Sequence, residues 1–122
     1  VALEALADIR RSGWVEDGRF GEHFDRVSHV LRRYLGERYG FDALEYTTRE
    51  IVTALAGRQV GYDESELVRR FLDESDLVKF AKLTPTEAQC HWLWETAQQV
   101  VERTRQHALT GPVPSEESAR EA

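Results

Sequence analysis

Apolar residues recur at helical spacing along most of the chain. The clearest run is Phe20, Phe24, Val27, Leu31, Tyr34 and Leu35, at steps of three and four. One continuous apolar face at that period predicts a helix over about 19–39, with Gly40 as its stop. Arg26, Arg32, Arg33, Glu37 and Arg38 fall mostly off that face, toward solvent. Gly36 costs such a helix about 1 kcal/mol relative to alanine. Its presence points to the close approach of a neighbouring helix. Leu3, Leu6 and Ile9 mark a shorter helix before it, over about 2–12, which Gly13 can end in a left-handed conformation. Trp14 and Val15 then read as staples in a connector.

The later helices are announced by their caps. Thr47-Thr-Arg-Glu50 has the form of a capping box and opens a third helix with Ile51 and Leu55 inward, ended by Gly57. Asp63-Glu-Ser-Glu66 repeats the pattern and opens a fourth, with Leu67, Val68, Phe71 and Leu72 as its stripe. The polar cluster Asp73–Asp76 is expected to bend or restart that helix. Five apolar residues in the seven from Leu77 to Leu83 suit either a short helix or an extended segment. Thr84-Pro85-Thr86-Glu87 combines a cap, a first-turn proline and a box-closing glutamate. The fifth helix it opens runs to about 107. Cys90, Leu93, Ala97, Val100 or Val101, and Thr104 face inward, with Trp92 and Trp94 at the flanks. Residues 111–122 read as a disordered acidic tail. The expected architecture is a compact all-α bundle of about five helices over 1–110, with no strand alternation and no internal repeat.

Composition narrows the function mainly by exclusion. With 122 residues, the chain fits one domain able to bury its own core. A net charge of −6 disfavours non-specific binding to nucleic acid or an anionic membrane. No stretch approaches the roughly 20 apolar residues of a membrane span, and no signal peptide opens the sequence. The absence of methionine, position 1 included, suggests a piece of a longer protein. Cys90 is the only cysteine and reads as a small buried hydrophobe.

Chemical constellations fail on spacing. Cys90 and His91 are adjacent and diverge on a helix, and His23 and His29 miss the i, i+4 spacing of helical metal ligands. Surface or capping roles suit the four histidines. The pairs Asp73/Asp76 and Glu64/Glu66 are assigned to helix termini, where the macrodipole accounts for them. No nucleophile elbow and no phosphate-binding glycine loop occurs. No catalytic residue, metal or cofactor is therefore expected. Helices three and four could form a helix-turn-helix within a winged-helix-like core, which makes a DNA-binding regulator the alternative function. The candidate recognition helix, however, begins with acidic side chains, and only Arg69 and Arg70 offset them.

Three segments together resemble the cytosolic C-terminal domain of bacterial BatD-like membrane proteins of the Bat aerotolerance type. They are Leu31-Arg-Arg-Tyr-Leu-Gly-Glu-Arg-Tyr-Gly-Phe41, Ala43-Leu-Glu-Tyr-Thr-Thr-Arg-Glu50, and Ser75-Asp-Leu-Val-Lys-Phe-Ala81 before Thr84-Pro-Thr-Glu87. One departure is Phe80-Ala-Lys-Leu-Thr-Pro85, where the pattern would place an aromatic and a basic residue before the cap. The resemblance implies a helical module on the cytoplasmic face of the inner membrane, in a membrane-anchored parent. It further implies a non-enzymatic scaffold or adaptor linked to a MoxR-type AAA+ ATPase and von Willebrand factor A-domain proteins. Within that reading Asp76, Lys79 and Phe80 are the candidate partner-binding patch. Asp76 and Lys79 are three apart, so on a helix they share a face, to pair locally or to present to a partner.

Overall fold

The computed structural model describes residues 1–58, 60–81 and 83–109, the last four by backbone alone. The predicted acidic tail at 111–122 lies outside the described residues. Five α-helices follow in order: α1 (Ala2–Arg11), α2 (Phe20–Tyr39), α3 (Thr48–Ala56), α4 (Tyr62–Phe80) and α5 (Glu87–Leu109). A short 3-10 turn, Ala43–Glu45, stands between α2 and α3. The all-α bundle is as expected. No strand occurs among the described residues, so nothing in them supplies the β-hairpin of a winged helix.

Helix α2 is the central pillar, packed against α1, α4 and α5, while α3 leans on α4 and α1 also closes on α5. Its predicted apolar face is the centre of the core: Phe24, Val27, Leu31 and Leu35 are buried with Phe71, Leu72, Leu93 and Val100 from α4 and α5. Each such side chain contributes about 1.5–3 kcal/mol when removed from water. Two polar tethers tie the helices at fixed heights, and a third bond within α5 fixes the orientation of Thr104. Trp94 Nε1 donates to the Leu6 carbonyl at 2.7 Å. Tyr34 Oη lies 2.6 Å from Thr104 Oγ1. Thr104 in turn donates to the Val100 carbonyl at 2.8 Å.

Several local expectations change. Gly36 makes room for its own following turn rather than for a neighbouring helix. A Cβ there would lie 2.6 Å from the Phe41 carbonyl oxygen. The chain reverses through Gly40 (φ 77°) and folds back along the end of α2, with the Gly40 and Phe41 N–H groups both donating to the Gly36 carbonyl. Helix α4 begins at Tyr62, one residue before Asp63, and Gly61 at its cap makes no side-chain hydrogen bond. The helix then runs through the Asp73–Asp76 cluster without a break. The Asp73 and Asp76 carboxylates are occupied by other side chains, and Ser75 bonds back to the preceding turn without breaking the helix. Asp73 pairs with Arg69 at 2.9 Å, and Ser75 Oγ donates to the Phe71 carbonyl at 3.0 Å.

Helix α5 starts two residues later than its sequence signature suggests. Thr86 Oγ1 accepts from the Gln89 N–H at 3.1 Å, and Gln89 Oε1 accepts from the Thr86 N–H at 2.8 Å. This is a capping box in the next overlapping frame. Pro85 is buried just before the cap.

Candidate functional site

A cleft of about 640 Å³ lies between α2, the 3-10 turn, α3 and α4. Its polar floor is one connected network. Arg32 projects from α2, and its Nη1 donates to the Tyr46 carbonyl at 2.9 Å. Its Nη2 lies 3.8 Å from Asp76 Oδ1 on α4. The other Asp76 oxygen accepts from Thr48 Oγ1 at 2.6 Å. Four elements are thus joined at one half-buried point, with the Arg32 and Asp76 side chains 17% and 33% exposed. A hydrogen bond to a charged carboxylate is worth about 1.5–3 kcal/mol, more than the longer ion contact beside it.

The rim is apolar. Phe80, the last residue of α4, is 70% exposed, and Leu44 on the 3-10 turn is 44% exposed. Both line the cleft, with Asp25, Ser28 and His29 on the α2 wall. Lys79 carries its Nζ 5.3 Å from the centre of the Phe80 ring.

All three candidate residues therefore meet in one cleft, and their pairings correct the sequence reading. Asp76 does not pair with Lys79 among the described residues; it is held by Thr48 and faces Arg32. Phe80 is not part of the core. The box at Thr47 forms as expected: Thr47 Oγ1 accepts from the Glu50 N–H at 3.2 Å, and Glu50 Oε1 accepts from the Thr47 N–H at 2.8 Å. Thr48, beside it, points to α4 instead. Asp73 and Asp76 lie within α4 and not at a terminus, so side-chain pairing, not the macrodipole, accounts for them.

The sequence reading missed Arg32, Leu44, Tyr46 and the α2 wall. Arg32 scans only as a residue off the apolar face, and its partners are far away in the chain. Asp25, Ser28 and His29 have residue types suited to nucleophilic chemistry. No hydrogen bond joins Ser28 to His29 or His29 to Asp25 among the described residues, which leaves that relay unassembled.

Elsewhere, His23 is corrected from a surface residue to a buried one, 3% exposed. Its Nε2 lies 2.9 Å from the Cys90 carbonyl, which can only accept, so Nε2 carries the proton. Burial lowers the His23 pKa. Cys90 is buried as expected, and burial pushes its thiol up to about 11, away from nucleophile chemistry. His91 is exposed and lies 3.5 Å from Glu87. The side chain of His107 lies outside the described residues. No group of three metal-ligating side chains gathers among the described residues.

The candidate recognition helix is occupied by its own charges. Arg69 contacts Glu66 at 2.8 Å and Asp73 at 2.9 Å, and its guanidinium holds Glu66 below the usual carboxylate range. Arg70 lies over the Trp92 ring at 5.8 Å. No family model, curated protein or solved structure matches the chain.

Proposed function

We propose that this chain is a non-enzymatic protein-interaction module whose partner docks in the cleft between α2, α3 and α4. The observation that carries this reading is Phe80, a large aromatic side chain 70% exposed at the rim of a concave surface. Water-exposed aromatics gain most when a partner covers them, and such residues dominate the energetics of interfaces. The floor beneath is internally satisfied, so it gives shape and orientation without offering a free base or nucleophile.

The resemblance of 31–50 and 75–87 to BatD-like domains extends the proposal. The module would serve as a scaffold or adaptor on the cytoplasmic face of the inner membrane, in a membrane-anchored parent. Its partners would be a MoxR-type ATPase or a von Willebrand factor A-domain protein. The DNA-binding alternative is weakened by Arg69 and Arg70, the two cations it would need. One is shared between two carboxylates and the other rests on an aromatic ring.

The test is calorimetric titration of the purified domain with a MoxR-type ATPase and with a von Willebrand factor A-domain protein from the same organism. Phe80→Ala should weaken the complex by about tenfold or more, the scale of an aromatic anchor. Undiminished affinity would exclude the cleft as the docking surface. Failure of both proteins to bind would overturn the ATPase-system assignment.

A further inference from the structure

A second cleft lies on the other side of α2, walled by α1 and α5, with a volume of about 490 Å³. Its character differs from that of the first. Four arginines reach it: Arg26, Arg33 and Arg38 from α2, and Arg105 from α5. Arg33 is neutralised by Glu37 at 3.2 Å. No carboxylate among the described residues pairs with Arg26, Arg38 or Arg105. The Nε of Arg38 is buried without a hydrogen-bond partner among the described residues, and its guanidinium carbon lies 4.9 Å from the centre of the Tyr39 ring. A buried donor left unmade costs about 1–3 kcal/mol. Between these cations the floor is apolar, built from half-buried Leu3, Val30 and Tyr34.

We infer that this cleft binds an acidic peptide segment of a protein partner, anchored by an apolar side chain. The cations fit carboxylates, since guanidinium presents a planar fork that matches them bidentately. The floor fits a leucine-sized or aromatic side chain between them. Net charge selects the peptide over more extended anions. A duplex or bilayer presents charge across the whole face of the domain and meets its −6. A short segment lying in the cleft meets mainly the local cluster, because charges beyond about 8–10 Å are screened at physiological salt. Concave walls also keep a planar membrane off the floor. This inference does not depend on the first cleft, and either can fail alone.

The experiment is fluorescence anisotropy with three probes. The first is a labelled peptide of glutamate and leucine in helical spacing. The second is a peptide of equal charge with serine replacing leucine. The third is a set of vesicles of mixed phosphatidylserine and phosphatidylcholine. The glutamate–leucine peptide should bind, less tightly as salt rises. Arg105→Glu and Arg26→Gln, both at exposed positions, should each weaken it about tenfold, the scale of one charge-assisted contact. Arg38→Gln should do the same, while Arg49→Ala on α3 should leave binding unchanged. Thermal unfolding followed by circular dichroism checks that each variant is folded, and the two exposed positions decide the matter if Arg38→Gln is not. Absence of peptide binding, equal binding of the serine peptide, or vesicle binding that outcompetes the peptide and depends on Arg105 would each overturn the inference.

Discussion

Two clefts flank α2, and they handle the same residue type in opposite ways. In the α2–α3–α4 cleft Arg32 is enclosed, donating to the Tyr46 carbonyl and facing an Asp76 that Thr48 holds in place. In the α1–α2–α5 cleft, among the described residues, the buried Nε of Arg38 has no hydrogen-bond partner, and Arg26 and Arg105 go without carboxylates. Arg32 and Arg33 are adjacent in sequence yet line different clefts, because neighbouring helical side chains diverge by about 100°. His29 stands on the ridge and lines both. Burying a charge stabilises a fold only when its partners are supplied from within. The first cleft is therefore a structural joint with an apolar rim, and the second is an unfinished electrostatic site.

The comparison can be broken most forcibly at Gly36. A methyl group there meets the Phe41 backbone oxygen at 2.6 Å, and backbone cannot rotate away as a side-chain tip can. Gly36→Ala should displace the turn that carries Leu44 and the Tyr46 carbonyl. The expected loss is about 1–3 kcal/mol of stability despite alanine's better helix propensity, read as a lowered urea midpoint. Binding at the α1–α2–α5 cleft should survive in the folded fraction. A stabilised variant would show that the turn tolerates displacement and that the joint is not fixed from below.

A smaller effect comes from His23, which belongs to α2 but does not line either of these two clefts, and so separates fold from docking. Its pKa is lowered in the folded state, chiefly by burial, with Glu16 and His91 the charged groups that act on it. Protons then bind the unfolded chain more readily. Its contribution to stability is complete above the unfolded value of about 6.5 and declines as pH falls below it. The slope from this one group is at most about 1.4 kcal/mol per pH unit. Urea midpoints measured at about pH 7 and about pH 5 should differ more for the native chain than for His23→Gln. Equal differences would mean that His23 takes up its proton freely in the folded protein.

Most of the bundle could be read from periodicity, because the face of α2 is long and its apolar residues keep to one period. Caps were harder. The chain offers overlapping boxes at Thr84–Glu87 and Thr86–Gln89, and pattern alone does not rank them; the later frame is the one formed, with Pro85 buried before the cap. The polar run in α4 misled for a related reason. Asp73, Ser75 and Asp76 favour a break only if their side chains are free to bond to nearby backbone, and here two are taken by Arg69 and Thr48 while Ser75 bonds back along the helix. Asp76, Lys79 and Phe80 are close in sequence and share a cleft, but the residue that organises it, Arg32, carries no local signal. Its contacts to Tyr46 and Asp76 arise only when α2, the 3-10 turn and α4 pack.

The most direct measurement sets the unfolding free energies of Asp76→Ala and Arg38→Gln side by side. Asp76→Ala removes the acceptor of Thr48 and the charge facing Arg32, and should cost about 2 kcal/mol. Arg38→Gln removes a donor that has no partner among the described residues, offset by the loss of its stacking 4.9 Å over the Tyr39 ring. It should stay within about 0.5 kcal/mol of the native chain. Equal costs for the two substitutions would contradict the distinction between a closed joint on one side of α2 and an open site on the other.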